Sequence, residues 1–364
     1  MISRRAFLAG GTAALASAAV PAFAATPRAF YGARFEGKSR FFASAFNTAG
    51  GALFDIPLPV RGHGIALDPA RGRIVFFARR PGDFAIIVHS SGAPLATLAA
   101  AEGRFFCGHG VFSADGALLF TTETVTESGD GVIGVYAAGG DYARLGEMPS
   151  GGLDPHDIRL VRGGRFLVVA NGGLLTHPDA PGVKLNLDSM DSSLAFLDLA
   201  TRGVAASFRL PSELRRLSLR HLAVGADETI AVVMQYEGPR GDPVPLVALQ
   251  RGRSPLSSLD LADADRVSMR QYCGSAAFDS SGRILGFTSP VGGSALFVDI
   301  ASGRALARIS KPDICGIAAG GVSGWFAVSS GLGGVGSITA EDGAEYPLGG
   351  LAAASQWDNH LAAL

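Results

Sequence analysis

The feature that most limits what this chain can fold into is a returning segment: a short strand, a turn built on Asp or Gly, then an apolar strand. CGHGVFSADG at 107–116 aligns without a gap on CGSAAFDSSG at 273–282, and GHGIALDPARGRIVFF at 62–77 follows the same plan. It returns as PHDIRLVRGGRFLVVAN at 155–171, RHLAVGADETIAVVMQ at 220–235, CGIAAGGVSGWFAVSS at 315–330 and WDNHLAAL at the C-terminus, seven occurrences in all. The equivalent positions are His63, His109, His156, His221, Ser275, Cys315 and His360, spaced by 46, 47, 65, 54, 40 and 45 residues. A period of about 40–50 residues that carries strand after strand and no amphipathic helix is the pattern of a propeller with four strands per blade. The spacing predicts an all-β, seven-bladed β-propeller.

The 65-residue interval needs an insertion, and NGGLLTHPDAPGVKLNLDSMD at 171–191 supplies it. Outer strands are legible in FAIIVHSSG followed by APLATLAA, and in ALFVDIASG followed by RALARIS. The last repeat has no room for three more strands. RAFYGARF, SRFFASAF and GALFDIPLP near the N-terminus lack a leading His strand. Joining the two completes a seventh blade split between about 29–60 and 355–364. The C-terminal strand then pairs with the N-terminal ones, which removes free sheet edges and makes the ring sensitive to truncation.

Export is written at the start. Ser3-Arg4-Arg5-Ala6-Phe7-Leu8 reads as a twin-arginine signal, followed by small apolar residues and a cleavage site at Ala22-Phe23-Ala24. Residues 1–24 are expected to be removed, leaving one propeller domain over 25–364 in the periplasm. No segment has the run of about 18 apolar residues that a membrane-spanning helix needs. Twin-arginine export moves chains already folded, which suits proteins loaded with a cofactor beforehand. The net charge of −1 offers no basis for binding nucleic acid or a membrane surface. Fifty glycines, spread without a collagen-like period, fit many tight turns. Three cysteines with no CxxC or CxxCH support neither a disulfide framework nor a c-type haem. Cys107 and Cys273 match each other but fall in blades two and five, too far apart for a disulfide.

In a propeller the first strand of each blade is innermost, so one residue per blade at its start forms a ring around the axis. Five of the seven ring positions are His, and only His89 and His177 lie elsewhere. A single histidine there is most often a satisfied polar cap. Five on one axis are harder to explain that way, because imidazoles that protonate together repel, whereas neutral imidazoles converging on a cation are each compensated. His63, His109, His156, His221 and His360 are therefore the expected ligands of a transition metal, with Cys315, Glu123, Asn171 and Asp157 as possible additions. Ends of second strands bring Arg79, Glu123, Asn171, Gln235 with Glu237, and Ser289 to the same face. Carboxylate, amide and imidazole together suit a borderline cation such as Fe(II), Cu(II) or Zn(II), or orient its ligands from behind. For these additions, ordinary rim polarity is an equally good reading. Binding should weaken toward pH ~6, where imidazoles near their unperturbed pKa of ~6.5 protonate.

The motifs RGHG, FARRPG, GHGVFSADG, GVIGVY, PHDIRL, VVANGG with THPD, KLNLDSM, RHLAV, DICGIA and terminal WDNHL run along essentially the whole chain. With them the chain resembles the twin-arginine-exported family catalogued as domain of unknown function fifteen-thirteen. The resemblance implies a seven-bladed propeller, often encoded beside imelysin-like lipoproteins and a dihaem peroxidase-like protein, and hence a periplasmic accessory of iron or copper acquisition. It favours iron or copper over zinc, and an ion rather than haem. It brings no catalytic residues, and Cys107 and Cys273 stand where the family carries bulky or aromatic residues. Two other readings remain: a metal-dependent periplasmic enzyme using the same ring, for which no GxSxG or HExxH motif specifies a chemistry, and a protein-binding scaffold working through exposed loops such as 171–191.

Overall fold

The computed structural model describes residues 29–180 and 182–364; the twin-arginine signal and its cleavage site lie outside them. Alternating apolar residues and turn glycines fold the chain into seven four-stranded antiparallel sheets. Six of them are consecutive in sequence, and their innermost strands are Gly62–Asp68, Arg104–Phe112, Pro155–Val161, Leu217–Val224, Ser275–Phe278 and Ile314–Ala319, for blades 1 to 6. The seventh takes its innermost strand, Gln356–Ala363, from the C-terminus and its outer three, Ala29–Glu36, Arg40–Asn47 and Ala52–Leu58, from the N-terminal side. Each innermost strand packs on those of the neighbouring blades, and Gln356–Ala363 closes the circle between Ile314–Ala319 and Gly62–Asp68.

Apolar side chains from facing sheets form the core between blades. In the closing blade Trp357 is 1% exposed, lies against the Phe46 ring at 5.0 Å between centroids, and donates its indole N–H to the Ala352 carbonyl. A Cβ on Gly32 would lie 2.8 Å from Trp357, so glycine there admits the indole. The 171–191 insertion joins the second and third strands of blade 3 and holds a 3-10 turn at Leu187–Ser189.

A local departure from regular pairing sets up the axis. Against the second strand of its blade, the innermost strand slips register between Gly62 and Ile65, Phe106 and Gly110, Pro155 and Asp157, Leu219 and His221, and Ile314 and Ile317. In blade 7 the slip falls where Gly32 faces Leu361 and Arg34 faces Trp357, around Asp358–His360. Such bulges turn a side chain out of the alternating pattern of the strand. The five histidine-bearing strands all have one, Cys315 lies in the sixth, and the strand of Ser275 pairs regularly.

Candidate metal centre

The slips bring His63, His109, His156, His221 and His360 into one buried cluster. Ring centroids are 4.5 Å apart for His63–His360 and His221–His360, 4.7 Å for His156–His221, and 5.0 Å for His63–His109. His109 is central, 4.8 Å from His360, 5.4 Å from His221 and 5.6 Å from His156. Glycine makes this density possible. A Cβ on Gly64 would collide with the carbonyl oxygen of Gly108, and Gly108 itself has φ +99°, a conformation that favours glycine.

Among the described residues, two sets of three could hold a metal ion: His63, His109 and His156, and His109, His221 and His360, the ligand atoms within each set lying within 4.8 Å of one another. His109 belongs to both. Four ring nitrogens, Nε2 of His109, His156 and His360 and Nδ1 of His221, are buried with no hydrogen-bond partner. A buried polar atom left unpaired costs about 1–3 kcal/mol; a cation at the centre would satisfy several at once.

The other ring edges are held from behind. Asp358 accepts from His63 Nδ1 at 3.3 Å and from Arg61, and Asp157 lies 3.4 Å from His109 Nδ1. Asp157 also accepts the backbone N–H of Ile158 and of Leu222, the latter on the neighbouring blade, and pairs with Arg159. A carboxylate on Nδ1–H turns the Nε2 lone pair toward the axis, the usual support for a ligating imidazole. His156 differs: its Nδ1 lies 3.0 Å from Nη1 of Arg220, which also reaches Asp154 at 2.9 Å, while Asp154 pairs with Arg80. Ser275 Oγ is 3.5 Å from His360 Nδ1.

Electrostatics disfavours the charged form of four of the rings. Burial, with facing imidazoles and the cations Arg220 and Arg159 behind it, pushes His109, His156, His221 and His360 well below the ordinary imidazole range. Imidazole protonation, expected near pH 6 from ordinary values, therefore moves to lower pH at these four rings. Burial raises Asp157 above the usual carboxylate value against the pull of Arg159. At Asp358 burial acts the same way, but the His63 hydrogen bond and Arg61 outweigh it and the net shift is downward.

The remaining sequence candidates are placed elsewhere. Cys315 Sγ faces the carbonyls of Trp357 and Asp358 and the Ser329 hydroxyl, and burial pushes its thiol up to about 12. Glu123 is buried against Arg144, Tyr136 and Thr121 within blade 2. Asn171 donates to the Ser150 carbonyl and the Ser193 hydroxyl. Gln235 is 3.5 Å from the Cys273 carbonyl, and Ser289 donates to the Met269 carbonyl. Cys107 and Cys273 are buried free thiols. Sequence reasoning did not single out Arg220 as a partner of the ring, although it directly precedes His221.

A cavity of about 580 Å³ opens on the face where the innermost strands end, lined by Ile65, Val111, Leu222, Ala277, Ile317 and Leu361 among others, and by the charged Arg159 and Asp279. Its lining includes Gly110, Leu222 and Leu361, next in sequence to three of the histidines, but none of the five imidazoles. At the opposite mouth the pairs Arg61–Asp358 and Arg80–Asp154–Arg220 stand over the imidazoles.

Among solved structures the chain is similar to Kuenenia stuttgartiensis hydrazine synthase (13% identity, TM-score 0.62, covering 83% of this chain and 92% of that one). It is also similar to the periplasmic gluconolactonase PpgL of Pseudomonas aeruginosa (16%, TM-score 0.61, 91% and 99%). A third likeness is to the Cps50 (Swd1) β-propeller domain of Myceliophteria thermophila (10%, TM-score 0.58, 84% and 96%). At these identities the likeness is one of fold. No curated protein matches the chain. A family model matches residues 56–364, every histidine of the ring included, and the chain belongs to the family described as "Protein of unknown function (DUF1513)".

Proposed function

We propose that the chain is a periplasmic metal-binding propeller, an accessory of iron or copper acquisition, holding one transition-metal ion at the axial imidazoles. The observation that carries this reading is the convergence of five buried imidazoles, four of them with an unpartnered ring nitrogen. Neutral imidazole suits Fe, Cu and Zn alike, so the donor set favours a borderline transition metal over Mg or Ca. The amino-terminal signal supports export, and loading before folded export would spare the ion a passage through the core. The cavity beside the ring favours a second reading, a metal-dependent enzyme at the same centre.

The test is anaerobic titration of Fe(II), Cu(II) and Zn(II) into metal-free mature chain, beside elemental analysis of protein exported in its native host. One equivalent per chain is expected. His109→Ala should lower affinity by about a hundredfold or more, since site energies of about 10–16 kcal/mol are shared by a few ligands. A folded, metal-free chain that binds none of the three would return the ring to a structural role and move attention to the exposed loops.

A further inference from the structure

The five imidazoles are not chemically equivalent, and their hydrogen bonds divide them. His63 is hydrogen-bonded through Nδ1 to the Asp358 carboxylate at 3.3 Å, so its Nε2 carries the lone pair, and His109 Nδ1 lies 3.4 Å from the Asp157 carboxylate. His156 faces a guanidinium with Nδ1, at 3.0 Å. Arginine stays protonated and only donates, so Nδ1 of His156 accepts, and in the neutral ring the proton resides on Nε2. That nitrogen is buried and has no hydrogen-bond partner, and the His156 ring packs against those of His221 and His109, with centroids 4.7 and 5.6 Å apart. An N–H cannot ligate a cation. It can donate to an atom that the cation holds.

We infer that the axial centre binds a small anion together with the metal: the anion takes an open coordination position and accepts a hydrogen bond from Nε2–H of His156, which is a positioning donor and not a ligand. This rests on the metal reading proposed above. The surroundings bear on what the anion can be. Arg159, which lines the adjacent cavity together with Asp279, binds Asp157, the carboxylate beside His109. The close packing of the rings, whose centroids are 4.5 Å apart for His63–His360 and 6.3 Å for His63–His221, restricts the ligand to a few atoms, which points to hydroxide, peroxide, formate or azide and not to an organic substrate.

Azide is the probe, because bound to Cu(II) it gives a charge-transfer band. Cu(II)-loaded full-length mature chain is titrated with azide in the wild type, His156→Ala and His156→Gln, after the Cu(II) affinity of each has been measured. The wild type should develop the band. His156→Ala should keep Cu(II) affinity within about threefold of wild type yet lose azide affinity by about tenfold, the worth of one hydrogen bond to a charged partner. His156→Gln, which can offer an amide N–H in place of Nε2–H, should recover part of that loss and also serves if the alanine variant does not fold. Cu(II) binding with no azide band, or an equal azide affinity in all three proteins, overturns the inference. So does a loss of Cu(II) affinity in His156→Ala as large as in His109→Ala, which would make His156 a ligand. Failure of the wild type to take up Cu(II) at all is seen before azide is added and overturns the metal reading itself.

Discussion

Blades 2 and 5 begin with ten-residue segments that align without a gap, CGHGVFSADG and CGSAAFDSSG, yet their innermost strands are built differently. In blade 2 the strand runs nine residues, slips register between Phe106 and Gly110, and turns His109 onto the axis through Gly108 at φ +99°. In blade 5 it runs four residues, pairs regularly from Ser275 opposite Thr288, and leaves Cys273 hydrogen-bonded through its N–H to Met234 of blade 4. The Ser275 hydroxyl reaches a single imidazole, at 3.5 Å. The contrast shows that a ring position becomes part of the cluster through the bulge beneath it as well as through the residue it carries.

The largest effect expected is from removing Trp357 to Leu364, which deletes another of the bulged strands. The cut takes away His360, Asp358 and the buried Trp357, whose side chain alone is worth about 3–5 kcal/mol, and it exposes an edge along Ala29–Glu36. Native stability of about 5–15 kcal/mol leaves little margin, so thermal unfolding should show loss of the whole cooperative transition. An unchanged melting temperature would refute closure through this strand.

Next in size is the pH dependence of the metal-free chain. His109, His156, His221 and His360 are held well below the imidazole value by burial and by facing imidazoles and guanidinium groups, so the folded state binds fewer protons than the unfolded one. Stability is then fully present above about pH 6.5 and falls as pH drops below it, by about 1.4 kcal/mol per unit for each ring that stays unprotonated. Asp157 and Asp358 shift in opposite directions about the carboxylate value, so the imidazoles set the sign between pH 7 and 5. Melting temperatures should fall over that range, and a saturating metal should flatten the fall. A flat profile in the metal-free protein would mean that the rings are hydrated and ordinary.

The smallest effects bear most directly on the two blades. Gly108→Ala should cost about 1–2 kcal/mol for the left-handed backbone, and its Cβ, 2.8 Å from His63 Cδ2, should displace that ring and weaken metal binding. Ser275→His adds an imidazole on the one unbulged strand and should leave metal affinity within about twofold, since no bulge turns it inward. Tighter binding by Ser275→His would break the comparison, showing that the axis accepts an imidazole without a register slip.

How much of this was legible follows from the range of the interactions. The count of strands and the seven ring positions could be read because each depends on alternation, turn chemistry and spacing between successive repeats, and the split blade because the strands missing at one end of the ring are supplied at the other. His63, His109, His156, His221 and His360 meet because propeller geometry turns a repeat position into a position on one axis, so the sequence by itself determined which residues approach one another. It said less about the groups beside them. Asn171 ends its second strand and Glu123 lies two residues before the end of its own, yet the Glu123 carboxylate is taken up within its blade and the Asn171 amide N–H groups by the Ser150 carbonyl and the Ser193 hydroxyl, with Asn171 Oδ1 left unpartnered.

Only the tertiary structure decided what each imidazole can do. His63 meets Asp358 across 295 residues, and His156 meets Arg220 across 64. Whether a ring presents a lone pair or an N–H depends on that distant partner, which no local pattern encodes. The bulges are equally non-local: where a strand slips, the neighbouring blade's backbone closes in on it, as the carbonyl of Gly108 does against Gly64. Repetition along the chain therefore sets where the ring is, while close packing around the axis sets its protons, its open side and its chemistry.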